Sequence, residues 1–457
     1  MELRSPNTAL RSLIAELGWS QQQVAVRVAR VAREVGYTEL ANVGRSTISM
    51  WLAGAQPQGK APEVLCEALA RGLNRPVHPQ DIGLVDHRLG PGIETVWTAD
   101  TLAALADLGS DVHRRRFIGA SVYSVAGLAL PEEPWWQRSL SAATSRSSAG
   151  TRKATREDVE AIREATTLFQ RLDQKKGGGY GASAASVFLT EEVLPTLRRG
   201  APEQLHRELF SASSELVYVL GWSSFDANRH GEAQRYLTLA VKLSAEAGDR
   251  ALAGHILRAL AHQALDLGHY RQATELTSAS MDRACYGAAG PRERALLGVV
   301  HARSLARIGD RKGSAAALLR AEDDLANATE GDEPGRVWFF GQASLAHETA
   351  RTLQATDDLD AAQKAFERSV RLRGAAFSRT HAVTLGYLGE IQAARGEIEA
   401  ACSTWSQALD AMQGVRSGRA MNTVRTMRST LGTFRDRGVR AVGELDRRAA
   451  EILRDVP

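Results

Sequence analysis

Asn228-Arg229-His230-Gly231-Glu232-Ala233 returns in altered form as Gly268-His269-Tyr270-Arg271-Gln272-Ala273, Gly309-Asp310-Arg311-Lys312-Gly313-Ser314, Asp357-Asp358-Leu359-Asp360-Ala361-Ala362 and Gly396-Glu397-Ile398-Glu399-Ala400-Ala401. The small residues that end these stretches lie 40, 41, 48 and 39 positions apart. Each stretch sits between two apolar, Ala- and Leu-rich runs with nothing of the strand in them. The reading is a helix, a tight turn that Gly or Asp permits, and a second helix whose small residue lets the two backbones approach. Large apolar residues such as Leu216, Trp222, Tyr236, Leu257, Leu276, Leu305, Phe366, Leu388 and Trp405 are then expected to fill the space between hairpins. Five turns at a near-constant interval predict a helical repeat array, a superhelical α-solenoid with one continuous core. The longest interval is expected to hold an extended loop around Glu330-Gly331-Asp332-Glu333-Pro334-Gly335.

The pattern resembles tetratricopeptide repeats, with longer helices or loops accounting for the excess over their usual period of about 34 residues. The whole chain has 457 residues, 57 Lys and Arg against 53 Asp and Glu, and 44% hydrophobic residues, a composition that excludes collagenous, wholly disordered and polytopic membrane classes. Cys66, Cys285 and Cys402 are too far apart to suggest a metal knuckle or a disulfide framework, so a reducing, cytoplasmic setting is expected. No apolar run is long enough to cross a membrane, and none is expected as a partner. His113-Arg114-Arg115-Arg116-Phe117-Ile118-Gly119 resembles a twin-arginine export signal in its residues but lies more than a hundred positions into the chain, and reads as an internal basic lead-in to a helix.

Ahead of the repeats the periodicity is also helical. Leu10, Leu13, Ile14 and Leu17 share one face, Ser20 precedes a helix start at Gln21-Gln22-Gln23, and Val24, Val28, Val31 and Val35 continue to a break at Gly36. Arg45 to Leu52 ends at Gly54, Pro62 opens another helix to Gly72, and a short one is predicted over Pro79 to Leu84. The expected organisation is therefore all-α: a DNA-binding-type domain over 1–85, a linker with a basic segment and short helices over 86–155, and the repeat domain over 156–457. The linker holds Gly90-Pro91-Gly92 and the Ser- and Ala-rich stretch 139–150, and carries eight basic against three acidic residues between 111 and 156.

Ser20-Gln21-Gln22-Gln23-Val24-Ala25 followed by Gly44-Arg45-Ser46-Thr47-Ile48-Ser49-Met50-Trp51-Leu52-Ala53-Gly54 resembles the lambda-repressor-like helix-turn-helix. Small Ser and Thr residues at a helix start let the backbone approach phosphate, whose charge that helix end favours. Ile48 and Trp51 would pin the reading helix onto Ala25 and Val28, leaving Arg45, Ser46, Thr47, Ser49 and Met50, with Gln21 and Gln22 of the preceding helix, as the candidates to touch double-stranded DNA. About a dozen extra residues, Ala29 to Asn42, separate the two helices, which an extended second helix followed by a loop would absorb. With ten Lys and Arg against eight Asp and Glu over 1–90, phosphate contacts should be few.

Together with Gln80-Asp81-Ile82-Gly83-Leu84, Val96-Trp97-Thr98-Ala99-Asp100-Thr101, Arg114-Arg115-Arg116-Phe117-Ile118 and Ala126-Gly127-Leu128-Ala129-Leu130-Pro131, this order of parts looks like actinobacterial XRE-type helix-turn-helix regulators with tetratricopeptide repeats. That resemblance covers nearly the full length. It implies a cytoplasmic transcriptional regulator, of the kind associated with development and antibiotic production, in which the long second helix is a feature of the variant. Two reading heads on a two-fold site imply a homodimer. The rival reading is a repeat scaffold whose N-terminal helices contact protein rather than DNA.

A concave array would suit a peptide or protein ligand, with Arg229, His230, His262, Gln263, His301, Arg303, His347 and Arg351 as inner-surface candidates. Arg416, Arg419, Arg425, Arg428, Arg435, Arg437 and Arg440 against the lone acid Asp436 read as a solvated capping helix, with a DNA-backbone or dimer contact as alternatives. No phosphate loop, His-Glu-x-x-His or Gly-x-Ser-x-Gly occurs, and His347-Glu348 is followed at the metal-binding interval by Arg351, so no catalytic residue, metal or cofactor is expected and the chain does not read as an enzyme. Lys175-Lys176-Gly177-Gly178-Gly179-Tyr180 reads as a flexible connection between helices.

Overall fold

The computed structural model describes residues 5–34, 37–73, 75, 77–84, 97, 99–114, 122–131, 136–137, 139–140, 153–434 and 440–454. Over these residues the chain is all-α, and the extended backbone pairs only in an isolated bridge between Lys153 and Gly200.

The first unit comprises α1 (Thr8–Glu16), α2 (Gln21–Glu34), α3 (Arg45–Leu52) and α4 (Ala61–Leu73), closed by a 3₁₀ turn at Pro79–Ile82 where a longer helix was expected. Asn7 caps α1 by accepting the Leu10 amide at 2.9 Å, and its own amide group donates to the Ile82 carbonyl at 2.8 Å, tying the two ends together. Ser20 and Gln23 form a reciprocal cap on α2 at 2.8 and 3.3 Å. Helix α2 runs on to Glu34, so residues 29–34 of the extra stretch lengthen it, and a turn over 38–42 follows the buried Tyr37.

Next come α5 (Thr101–Arg114), α6 (Arg156–Lys176) and α7 (Gly178–Phe188), the last continuing through a π turn at Leu189–Val193 to Leu197. Helix α5 lies against the repeats: Leu102, Leu105 and Leu108 are buried in their core, and Thr101 Oγ1 donates to Glu246 at 2.5 Å. The repeats follow as α8 (Glu203–Asp226) with α9 (His230–Ala247), α10 (Arg250–Asp266) with α11 (Tyr270–Ser280), a short α12 (Arg283–Ala288), α13 (Pro291–Arg307) with α14 (Arg311–Ala326), α15 (Gln342–Ala355) with α16 (Leu359–Leu372), and α17 (Ser378–Ala394) with α18 (Ile398–Ala411). Helices α19 (Gly418–Gly432) and α20 (Arg440–Arg454) complete the chain.

All five hairpins turn in one way. The second residue after the first helix, Asn228, Gly268, Gly309, Asp357 or Gly396, has φ between +62° and +89°, and the second helix starts two residues later. Asn and Asp tolerate that left-handed state better than other side chains, which is why they alternate with Gly here. The small residue five positions on, Ala233, Ala273, Ser314, Ala362 or Ala401, is buried in each case. Where α17 crosses its partners, Trp405 takes the space a side chain on Gly389 would need, 2.3 Å from an added Cβ, and its indole N–H donates to the Gly386 carbonyl at 3.1 Å.

Three expectations need correction. The core is not continuous: one cluster runs from Leu102 to Leu345, a second surrounds Phe366, and a third surrounds Trp405. Trp222 and Leu305 are only half buried rather than core. The glycines 177–179 are not a flexible connection but a point of close approach, since a Cβ on Gly178 would sit 2.3 Å from the Ser223 carbonyl and one on Gly177 2.5 Å from that of Arg416. The loop around 330–335 is extended as expected, and the chain turns inward just after it: Arg336 pairs with Glu293 at 2.7 Å, and Val337 and Phe340 are core residues.

The last helices return to the first ones. Helix α6 packs on both α8 and α17, and the buried Arg379 of α17 donates to Asp173 of α6 at 3.0 Å and to Asp226 of α8 at 3.1 Å. Asp226 also accepts from the Gly178 amide at 2.9 Å and from Ser417 Oγ at 3.0 Å. Arg416 donates its amide to the Lys176 carbonyl at 2.6 Å, and Asn422 exchanges two side-chain hydrogen bonds with Asn228. Burial lifts the Asp173 carboxyl to about 6 against the pull of Arg379. The array thus closes into a loop of helices, clamped by one guanidinium between two carboxylates.

Candidate nucleic-acid interface

Helix α3 is held by its inner face. Ile48 is fully buried and Trp51 nearly so, in one cluster with Val24, Ala25 and Val28 of α2. Leu52 joins them, and at the helical repeat of about 3.6 residues per turn this leaves the opposite face of the helix outward. Arg45, Ser46 and Ser49 are exposed, Met50 is 55% exposed, and Thr47 is half buried. On α2, Gln22 is exposed and Gln21 half buried. The residues singled out in the sequence therefore lie on one accessible helix and at the start of its neighbour.

The start of α3 is electrostatically open. Its N-cap is Gly44, so no side chain caps it, and no acid lies in the first turn. The partial positive charge of the helix end is left to solvent or to an anion. Arg45 forms no ion pair among the described residues, whereas the exposed cations of α2 are partly engaged. Arg27 lies 4.1 Å over the Trp19 ring, Arg30 reaches Glu34 at 3.4 Å and Arg33 donates to the Ala41 carbonyl at 3.1 Å.

Sequence reasoning missed what sets this unit against the repeats. Glu67 of α4 accepts from Arg71 at 2.8 Å and from the Val125 amide at 2.9 Å, while Arg71 also reaches Glu34 at 2.6 Å. One residue back, Ser124 pairs through its backbone with the Gln234 side chain of α9 at 2.8 and 2.6 Å. Tyr123, fully buried, stacks on His269 at 5.7 Å, and burial holds that imidazole down at about 3. A strap of four residues, 122–125, thus bonds to α4 on one side and to α9 and the α10–α11 turn on the other. Nothing in its periodicity marks it; a Tyr between two Val and a Ser is common in loops.

The inner-surface candidates divide. His262 and His347 line a central cleft, and burial together with surrounding arginines keeps both imidazoles well below their ordinary value. Arg303 pairs with Asp266 at 2.5 Å, Gln263 donates to the His230 carbonyl at 2.8 Å, Arg351 lies 4.0 Å over the Tyr387 ring, His301 meets Thr277 at 3.1 Å, and Arg229 reaches Glu232 at 3.3 Å. Of the arginine-rich stretch, Arg419 is not solvated: it turns inward to Asp266 at 3.1 Å and packs over Phe225 at 4.9 Å. Arg416 precedes α19 and shares no helix face with it. Arg428 pairs with Asp446 at 2.8 Å and Arg425 stays exposed, while residues 435–439 and the Arg440 side chain lie outside the described residues. So do residues 85–96, 115–121 and 141–152, which hold the Gly-Pro patch and most of the basic and Ser-rich linker segments. The three cysteines are buried, and among the described residues no group of acidic, His or Cys side chains could hold a metal ion and no helix is long and apolar enough to cross a membrane.

Residues 10–85 match the model of a family described as the SP15 N-terminal domain. The match spans α1 to the 3₁₀ turn, the same stretch that shares one hydrophobic cluster. Comparison of the chain with curated proteins gives no match.

Proposed function

We propose that the chain is a sequence-specific regulator of transcription that binds double-stranded DNA as a homodimer through α3. The observation that carries this reading is the division of α3 into a buried face, Ile48 and Trp51, and an outward face bearing Arg45, Ser46, Ser49 and Met50 at an uncapped helix start. Such a helix presents donors to base edges and its amide end to a phosphate at once. The likeness to actinobacterial XRE-type regulators with tetratricopeptide-like repeats adds control of development or secondary metabolism. The repeat domain would hold two copies at half-site spacing and respond to a peptide, a protein or a smaller effector. The strap at 122–125 supports that division of labour, because it bonds to the reading unit and the repeats together.

The test is genome-wide mapping of bound DNA with gel-shift titration of the sites recovered. A single two-fold consensus is expected, and Arg45→Ala or Thr47→Ala should weaken binding to it by about 1–3 kcal/mol for each base that the side chain reads. No enriched site at moderate salt would transfer the function to protein contacts made by the repeats. An unchanged consensus in both variants would remove α3 as the reading helix.

A further inference from the structure

The cleft enclosed by the loop of helices is walled by Trp222, Phe339 and Phe377 as well as by charged side chains, four arginines and Glu348. Two of those cations, Arg258 and Arg373, have no carboxylate within ion-pair distance among the described residues, while Glu348 in the same wall lies nearest to Arg303 and His262. Arg258, 2% exposed, donates through Nη2 to Tyr218 Oη at 3.0 Å and to His255 Nε2 at 3.1 Å. A guanidinium only donates, so Nε2 must be the bare nitrogen and His255 the neutral tautomer, protonated on Nδ1 and donating to Glu293 at 3.0 Å. Arg373 donates through Nη2 to the Ala343 carbonyl and to Ser369 Oγ, both at 3.0 Å. In each guanidinium Nε is buried without a hydrogen-bond partner, and neither reaches a carboxylate within ion-pair distance among the described residues.

The contrast with the neighbouring arginines is informative. Arg303, Arg336, Arg379 and Arg419 are buried or nearly so, and every one of them meets an Asp or Glu within 3.1 Å. A buried guanidinium facing only neutral acceptors is costly, and these four avoid that cost. Burial and the nearby Arg379 push Arg373 down to about 10, against a weaker pull from Glu348. The aromatic walls supply what a bare inorganic ion would not use. Trp338 stacks on Phe377 at 5.2 Å, fixing that ring at the cleft edge.

We propose that this cleft binds a small organic anion, its acid group met by Arg258 and Arg373 and its apolar body lying against Trp222, Phe339 and Phe377. The site is read without DNA, so it stands or falls apart from the regulatory role. It is tested on the full chain with three probes: 1-naphthoate, the neutral 1-naphthalenemethanol of similar shape, and inorganic phosphate, each titrated by calorimetry and by quenching of tryptophan fluorescence. Naphthoate is expected to bind at least about tenfold more tightly than the alcohol, the effect of one charge-assisted hydrogen bond, and more tightly than phosphate. Arg258→Met and Arg373→Met should each abolish the preference for acid over alcohol, while Phe377→Ala should weaken both aromatic probes alike. Equal binding of acid and alcohol, no binding of naphthoate, or phosphate binding as tightly as naphthoate overturns the proposal without reference to any variant. If Arg258→Met does not fold, Arg373→Met, at a less buried position, decides the role of the guanidinium pair.

Discussion

Arg379→Met tests the clamp on which the closed arrangement rests. The substitution keeps most of the side-chain volume but removes the cation that faces Asp173 and Asp226, carboxylates that are themselves buried. Stranding buried charge in this way costs about 3–5 kcal/mol. In a chain of 457 residues that lowers the unfolding midpoint by about 3–5 °C, at about 1 °C per kcal/mol. The control is Arg207→Met, which breaks an exposed pair with Glu203 one helical turn away and should cost about 0.5 kcal/mol or less. Thermal unfolding followed by near-ultraviolet circular dichroism reads the total. Hydrogen exchange reads the location, because the Gly178 and Gly179 amides donate to Asp226 and to the Arg416 carbonyl across the closure. Both amides should exchange faster in Arg379→Met and not in Arg207→Met. A difference between the two variants below about 1 kcal/mol, or unchanged protection at those glycines, would refute the assignment of the clamp.

Gly389→Ala forces a methyl group to within 2.3 Å of the buried Trp405 indole and should cost about 1–3 kcal/mol in urea unfolding. Gly287→Ala, on a helix where an added Cβ meets nothing, should be neutral or stabilising by up to about 1 kcal/mol; equal effects would contradict the packing described. Glu67→Ala leaves the Val125 amide without its acceptor and should speed its exchange about tenfold or more while leaving the α8–α9 hairpin protected. Uniform loss of protection would mean that the strap is no separate contact. Burial, then Arg258, holds His255 down at about 4 against an ordinary value of 6.5. A group depressed on folding contributes fully above its unfolded value and loses that contribution as pH falls towards the folded one. Between pH 7.5 and 4.5 this imidazole should therefore withdraw about 2–3 kcal/mol of stability, a loss that His255→Gln abolishes. A stability gap between wild type and variant that does not change with pH would discard it.

The hairpins were legible because each imposes two local demands, a left-handed residue and a small residue five positions on, and Asn228 with Ala233 or Asp357 with Ala362 meets both within six letters. The outward face of α3 was legible for a similar reason, since the spacing of Ile48 and Trp51 fixes which side is inside. The closure was not. Asp173, Asp226 and Arg379 are single charged residues far apart in sequence, each indistinguishable from a solvated one until the helices are placed. The same blindness affected Arg419, which stands between the exposed Arg416 and Arg425 in an arginine-rich stretch, and the glycines 177–179, which read as freedom and serve as clearance. Arg258 and Arg373 lie in ordinary amphipathic stretches, so only the packing of other segments around them reveals cations without a paired carboxylate among the described residues.

A stack of hairpins that touches only its neighbours can gain or lose a unit at either end and remain the same kind of object. This chain cannot, because Arg379 must come round to meet Asp173 and Asp226. An inserted or deleted pair of helices anywhere along the circuit would carry the guanidinium past its carboxylates by the rotation of a whole unit. The number of turns is thereby fixed by the geometry of a lock, and descendants of this sequence are free to lengthen their loops but not to change their count.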